Sequence, residues 1–182
     1  MLLHLMRHPR PEIAAGICYG QSDIAADHLH CRQVAQDLLA QLPAGLTVIS
    51  SPLQRCRVLA NLLHPAAQLD ARLMEMHFGA WEMQSWNDIA RAEIDAWAAD
   101  VAGYAPGGGE SVTVMAARVI SFLHDLSMRA DAELGIVAHA GSMRLMLAYQ
   151  TGMTARELAL AVASNRHEIG FGECICLQTE LC

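Results

Sequence analysis

Short apolar runs alternate with helical patterns along this chain, and that alternation limits the possible folds more than any other feature. The runs 2–6, 46–50 and 134–138 have the length of buried strands, and each is followed by a segment with helical spacing. This order predicts an α/β fold, a three-layer sandwich whose mainly parallel central sheet is flanked by helices. A final strand over 173–178 is expected to lie antiparallel at an edge of the sheet.

The remaining elements follow from the same patterns. Helices are predicted over about 28–41, 52–63, 86–100, 111–129, 142–151 and 154–162, and short strands near 67–70 and 167–170. We expect residues 1–182 to form a single domain in which 76–110 is a short insertion facing the substrate.

Charge and composition exclude several classes of function. All 12 basic residues are arginine, so a Schiff-base lysine and a Walker-type phosphate loop are absent. A net charge of −7 argues against general binding to nucleic acid or anionic membranes. There is no apolar stretch long enough to span a bilayer and no secretory signal pattern, which predicts a cytoplasmic protein. The six cysteines form no C-x-x-C pair and the nine histidines no H-E-x-x-H spacing, so no metal site is predicted.

Polar side chains stand where three of the predicted strands end. Arg7-His8 follows the first strand, 50–55 the second, and His139 the run 134–138. The carboxyl ends of parallel strands meet at one edge of a sheet, so these groups are expected to lie together. An arginine fork such as that of Arg55 suits phosphate, and a neutral histidine can act as a nucleophile. Each group alone is an ordinary cap or core residue, but their recurrence at equivalent positions predicts an anion site.

The same residues belong to an ordered set of motifs. The motifs are Arg7-His8, 18–23 (CYGQSD), 50–55 (SSPLQR), 72–82 (RLMEMHFGAWE), 106–111 (PGGGES) and 139–144 (HAGSMR). On these motifs the chain resembles the histidine phosphatase superfamily, the phosphoglycerate-mutase-like group, and within it the α-ribazole phosphatases of cobalamin biosynthesis. The resemblance covers most of the chain and implies the fold of that superfamily.

The resemblance also implies a covalent mechanism. His8 attacks phosphorus and becomes a phosphohistidine. Glu75, which must be protonated, gives a proton to the leaving alcohol oxygen and then activates water as a base.

A ring of donors is expected around the phosphoryl oxygens. The resemblance assigns Arg7, Arg55 and His139 to these oxygens, with backbone N–H donors near Gly20 and Ala140. Guanidinium and imidazolium groups then supply the positive charge, so neither a metal nor a cofactor is predicted.

The chain departs from the family pattern in three places. Pro9 replaces the usual glycine after the nucleophile, which removes a backbone donor and fixes φ. Arg10-Pro11 replaces an acid-threonine pair, and Arg10 either compensates with its charge or is solvated. Ala140 stands where glycine is typical, so the shape of the phosphate pocket is expected to differ.

The insertion carries the substrate-facing residues. We expect Trp81 and Trp86 to line a pocket near Glu75, with Gln21 beside them, and Trp97 to belong to the core. The segment has one arginine, Arg91, against six acids, so it is expected to disfavour a second anionic group. It suits one phosphate on a largely neutral organic body.

The leading hypothesis is a phosphomonoesterase that hydrolyses α-ribazole 5′-phosphate to α-ribazole. A protein phosphatase acting on phosphohistidine, a broad small-metabolite phosphatase and a catalytically weak interaction module on the same fold remain alternatives. The expected partner is a small phosphorylated metabolite, and a homodimer is possible.

Overall fold

The computed structural model describes residues 1–164 and 168–179. The strands are β1 (Leu2–Arg7), β2 (Val48–Ser50), β3 (Gln68–Leu69), β4 (Glu133–Ala138) and β5 (Cys174–Gln178). The helices are α1 (His28–Leu39), α2 (Gln54–Leu63), α3 (Arg91–Ala99), α4 (Val112–Ser127), α5 (Ala140–Ala148) and α6 (Ala155–Ser164). Three short 3₁₀ turns lie at Ala71–Leu73, Gly79–Trp81 and Pro106–Gly108.

The strands form one mixed sheet in the order β3-β2-β4-β1-β5. All neighbours are parallel except β5, which pairs antiparallel with β1 at the edge. This confirms the α/β sandwich with a mainly parallel sheet and an antiparallel edge strand. Arg7 pairs with Ala138, and Ser50 pairs with Val137, so β1, β2 and β4 end level with one another. The residues that follow these strands therefore meet at one edge.

Strand β1 is buried on both faces, toward which its successive side chains point alternately. Leu3 and Leu5 of β1 pack in the cluster beneath α4, α5 and α6, whereas Met6 packs against α1 and α2. All three are fully buried, and burial of each such side chain contributes roughly 1.5–3 kcal/mol. The strand that carries Arg7 and His8 is thus held from both sides.

Several predicted elements have different bounds, and the largest shift is at the start of α3. The helix expected over 86–100 begins only at Arg91, because Trp86 donates its backbone N–H to the Gly16 carbonyl and Ser85 bridges to Ile17. Those cross-chain bonds hold the segment as a loop. The helix expected at 142–151 is α5, which starts two residues earlier at Ala140.

The strand expected near 167–170 is wrong for 168–170, which have no regular structure, and residue 167 lies outside the described residues. Gly170 instead donates its N–H to the Glu173 carboxylate in a turn that leads into β5.

Residues 76–110 pack beside the sheet without joining it. Their core is a small cluster of Trp81 and Ile89 with Cys18. Gly79 and Gly107 bring two turns together so closely that a Cβ on Gly79 would lie 2.2 Å from the Gly107 carbonyl oxygen. None of the helices in the described part of the chain combines the length and apolar character needed to cross a bilayer.

Candidate active site

His8 lies directly after β1, where its N–H donates to the Ala138 carbonyl. Its Nδ1 is 2.7 Å from the Pro9 carbonyl oxygen. A carbonyl can only accept, so Nδ1 carries the proton and Nε2 keeps its lone pair. Burial, with the nearby positive charges of Arg55 and Arg7, lowers the pKa of His8 to about 3. The imidazole is therefore neutral at physiological pH and able to attack an electrophile through Nε2.

Two arginines flank this histidine. Arg55 is fully buried and donates to the carbonyl oxygens of Ser22 (2.8 Å) and Gly20 (2.6 Å). Arg7 donates to the Ile169 carbonyl, and its guanidinium lies 3.9 Å from the centre of the Phe171 ring. These contacts fix both side chains.

Each of the two guanidinium groups has a buried donor without a partner in the described part of the chain. Arg7 Nε and Arg55 Nε are buried and have no hydrogen-bond acceptor among the described residues. Buried donors of this kind are rare and need a partner. Two such donors on permanent cations beside a neutral histidine fit the oxygens of a bound phosphoryl group.

His139 follows β4 and is completely buried, with its ring centre 5.0 Å from that of His8. Its Nε2 lies 2.8 Å from Ser51 Oγ and 3.4 Å from Cys56 Sγ. Burial, and then the proximity of His8 and of the Arg55 guanidinium, lower the pKa of His139 well below its ordinary value. Positive charge at the site therefore rests on the arginines. A bound phosphate dianion would raise the pKa of this histidine again.

Glu75 lines an adjoining cavity. Its Oε2 accepts the Gly141 N–H at 3.1 Å, and its Oε1 accepts the Met76 N–H at 3.0 Å. Its backbone carbonyl accepts from Gln21 Nε2 and Arg118 Nη2, both at 3.0 Å. Four donors thus hold one residue in place from both sides.

Gly141 is required for this arrangement because a Cβ there would lie 2.1 Å from Glu75 Oε1. Gln21 contacts the main chain of Glu75 instead of extending into the cavity. Gly20 presents its carbonyl oxygen to Arg55, and Ala140 lines the cavity at the start of α5.

The cavity next to Glu75 has a volume of about 370 Å³ and mostly apolar walls. Its apolar lining includes Phe78, Trp86, Trp97, Val112, Met115 and Leu145. The indole rings of Trp86 and Trp97 are stacked, with centres 6.1 Å apart and planes 9° apart. A flat hydrophobic group can therefore rest beside the carboxyl of Glu75.

Two of the three tryptophans differ from expectation. Trp81 is only 2% exposed, lies outside the cavity lining and donates its indole N–H to Glu93 Oε2 at 3.0 Å. The 3₁₀ turn at Gly79–Trp81 directs this ring into the cluster with Cys18. Trp97, expected to serve the core alone, lines the cavity as well.

None of the six acidic residues of the insertion belongs to the cavity lining. Glu82 is occupied by the N–H groups of Gln21 and Phe78 and by the Ser22 hydroxyl. Asp88 is exposed and is not part of the lining. The expected acidic wall is therefore wrong, and Arg144 from α5, outside the insertion, adds a cation to the lining.

Arg10 bears on the second departure from the family pattern. Its side chain is exposed, while its backbone N–H donates to His30 Nδ1 at 3.0 Å and its carbonyl accepts from Asp27. The structure therefore favours the solvated alternative for this residue.

Three further residues lie at the site, although the sequence indicated them less clearly or not at all. Ser51 and Tyr19 lie inside the quoted motifs, and the Tyr19 ring lies 5.1 Å from the Arg55 guanidinium carbon. Phe171 covers His8 with ring centres 5.5 Å apart, and no sequence pattern indicated this contact. Within the described ranges there is no group of three or more histidine, cysteine or acidic side chains able to hold a metal ion.

A neutral buried histidine between two arginines, at the carboxyl edge of a parallel sheet, defines an enzyme of phosphoryl transfer. The chain belongs to the histidine phosphatase superfamily (branch 1), which residues 3–167 match. It is a phosphatase, a phosphoric monoester hydrolase, like its named relatives.

Comparisons with known proteins agree with this assignment. The chain is 28% identical over 169 residues to the adenosylcobalamin/alpha-ribazole phosphatase of Salmonella typhimurium, covering 87% of this chain and 83% of the relative. The alpha-ribazole phosphatase structure from Shigella flexneri superposes with a TM-score of 0.82 at 25% identity, covering 99% and 91%. A phosphoglycerate mutase structure from Thermus thermophilus gives 0.71 at 26% identity, covering 97% and 92%. The fold is thus phosphoglycerate-mutase-like.

Proposed function

We propose that this phosphatase hydrolyses α-ribazole 5′-phosphate to α-ribazole and phosphate, through a phosphohistidine on His8. The observation that carries the substrate assignment is the stacked pair Trp86 and Trp97 in an apolar cavity beside Glu75. The benzimidazole of α-ribazole is flat and largely apolar, and contact of an aromatic ring with such a surface contributes roughly 0.5–1.5 kcal/mol. The names of the Salmonella and Shigella relatives support the same substrate.

In the first step, His8 Nε2 attacks phosphorus in line with the ester oxygen. The N–P bond forms and the P–O bond to ribose breaks. Arg7 Nε and Arg55 Nε, the two buried donors without a partner in the described residues, bind the equatorial phosphoryl oxygens and stabilise the negative charge on them in the transition state. Glu75, in its protonated form, transfers its proton to the departing ribose oxygen, because an alkoxide is a poor leaving group.

In the second step, water hydrolyses the phosphohistidine. The Glu75 carboxylate takes a proton from water, whose oxygen attacks phosphorus and releases His8 and inorganic phosphate. The same carboxyl group serves as acid and then base, and its bonds to Gly141 and Met76 N–H keep it in one place for both steps. The His139 ring centre lies 5.0 Å from that of His8, where this histidine can donate to the phosphoryl group once protonated.

A cytoplasmic location belongs to the same proposal. The five cysteines in the described part of the chain are all free thiols, which suits a reducing compartment.

The substrate assignment is tested by kcat/KM on α-ribazole 5′-phosphate, 3-phosphoglycerate, a phosphohistidine protein and p-nitrophenyl phosphate. We expect α-ribazole 5′-phosphate to be preferred. Trp86→Ala and Trp97→Ala should erode this preference by about tenfold or less, as stacking energies allow, while p-nitrophenyl phosphate turnover is kept. The control is Trp81→Phe, because Trp81 lies behind the wall. A preference for phosphoglycerate or for the phosphoprotein would refute the substrate.

The intermediate is tested separately by labelling with ³²P substrate, quenched in alkaline detergent. Acid-labile phosphate should appear on His8 in the wild type and be absent from His8→Ala. Label on any other residue would overturn the mechanism, whatever the substrate.

A further inference from the structure

A second group of reactive side chains lies away from the phosphate site, on the face of the sheet that α1 and α2 cover. It consists of Cys176 in β5, His4 in β1 and Glu133 in β4. Cys176 and His4 are directly paired across the antiparallel strands, and Glu133 pairs with Leu2 at the start of the neighbouring strand. Three adjacent strands therefore bring a thiol, an imidazole and a carboxylate together.

The three side chains form a line. Cys176 Sγ lies 3.6 Å from His4 Nδ1, and His4 Nε2 lies 3.0 Å from Glu133 Oε2. The Glu133 carboxylate can only accept a hydrogen bond, so Nε2 of His4 carries the proton. Nδ1 is then the free acceptor and points at the thiol. A nucleophile beside a base that is oriented by a third group is the arrangement that activates thiols and hydroxyls in catalysis.

Exposure separates Cys176 from the other described cysteines. Cys18, Cys31 and Cys56 are buried and Cys174 is partly buried, whereas Cys176 is exposed. Burial raises the pKa of Cys174, two residues away on the same strand, to about 11. Cys174 is therefore held as an inert thiol, and it provides an internal reference on the same strand.

The His4 ring is better protected from solvent than the Cys176 thiol that it faces. The His4 side chain is 9% exposed and that of Glu133 42%. Water therefore competes little for the His4 ring, while a small molecule can reach Cys176. A thiol in this setting can react with a reagent from solvent and transfer its proton to the buried histidine.

We propose that Cys176 is a reactive thiol that exchanges with small disulfides, with His4 as its base and Glu133 as the group that orients His4. The S–H proton moves to His4 Nδ1, and the resulting imidazolium is paired with Glu133. The Cys176 sulfur attacks one sulfur of the disulfide, forming a new S–S bond while the original S–S bond breaks. The leaving thiolate takes the proton from His4. One protein thiol and one small disulfide thus give one mixed disulfide and one small thiol.

This site is separate from the phosphatase centre. His4 lies four residues before His8, which is about 13 Å along an extended strand. The hydrogen-bond partner of Cys176 and of Glu133 is His4, which has no part in phosphoryl transfer. Phosphatase activity therefore reports whether a variant is folded, without depending on the thiol chemistry.

The test uses the full chain with Cys182 replaced by serine, treated with 2-hydroxyethyl disulfide at pH 7. Mass spectrometry of peptides measures the rate of mixed-disulfide formation at Cys176 and at Cys174. We expect Cys176 to react at least about tenfold faster than Cys174, and His4→Gln to slow Cys176 about tenfold or more. Glu133→Gln should slow it severalfold, and Glu133→Asp should restore part of the rate, because the carboxylate acts through His4.

Two controls decide the outcome. Unchanged phosphatase kcat/KM shows that His4→Gln is folded, and Glu133→Gln, at a more exposed position, provides the test if His4→Gln does not fold. Cys176→Ser should reduce the adduct on the peptide that contains both cysteines to the slow rate of Cys174. Equal rates at Cys176 in wild type, His4→Gln and Glu133→Gln would overturn the proposal, as would equal rates at Cys174 and Cys176.

Discussion

Lowering the pH should destabilise the native protein through His8, because the fold buries this ring in its neutral form. The pKa of His8 is about 3 in the native protein, against an ordinary value of 6.5. Between these pH values His8 is protonated in the unfolded chain but not in the native state, so the free energy of unfolding falls as pH falls. The stability is fully present above about pH 6.5 and is lost progressively below it.

The size of the effect follows from linkage. At 1.36 kcal/mol per pH unit, the roughly 1.5 units between pH 5.0 and an unfolded pKa of about 6.5 correspond to about 2 kcal/mol. This value depends little on the native pKa as long as that stays well below 5. His139 has its pKa lowered in the same direction and adds a loss of the same sign.

The assay is urea unfolding followed by tryptophan fluorescence at pH 7.5 and 5.0. His8→Gln should lose about 2 kcal/mol less than wild type over this range, because the contribution of His8 is removed while that of His139 remains. His28→Gln, an exposed position at the start of α1, is the matched control and should behave like wild type. A pH dependence equal in wild type and His8→Gln would refute the buried neutral histidine.

Three further predictions concern the catalytic groups. Glu75→Gln should lower kcat on alkyl phosphates by about 10²–10⁴-fold but change p-nitrophenyl phosphate hydrolysis much less, since that leaving group needs little protonation; equal losses would place the acid elsewhere. Gly141→Ala places a Cβ 2.1 Å from Glu75 Oε1, so kcat should fall about 10²-fold with KM little changed, as measured by steady-state kinetics; an unchanged kcat contradicts the contact. Ser51→Ala removes the partner of His139 Nε2 and should cost about tenfold in kcat and shift the His139 ring resonances in NMR, whereas Ser51→Thr keeps both near wild type.

The sheet and the edge containing the candidate site could be predicted from sequence because both depend on local patterns. Apolar runs identify buried strands, and parallel strands with level ends bring the residues that follow them together. The sequence alone therefore sufficed to place His8, Arg55 and His139 near one another. The antiparallel edge strand followed from its alternation and its position last in the order.

The cavity wall could not be predicted in this way because it depends on packing between distant segments. Trp81 and Trp86 look alike in sequence, but a 3₁₀ turn buries the first ring and a bridge to Ile17 presents the second. The acidic composition of the insertion suggested a negatively charged cavity wall. The Glu82 carboxylate instead accepts three hydrogen bonds from neighbouring residues. Arg144 lies in α5, outside the insertion, so the composition of the insertion did not indicate it.

The position of β1 in the sheet has a consequence for biosynthesis. Leu3 pairs with Leu134 on one side and Leu177 on the other, and β1 precedes both partner strands along the chain. The apolar run that precedes the nucleophile therefore emerges from the ribosome long before either partner exists. Such a chain has high contact order, folds late and exposes an unpaired strand in the meantime. Nascent chains that stop before β4 should be captured by chaperones or aggregate, and Leu3→Ala or Leu5→Ala should reduce that capture while lowering the stability of the finished fold.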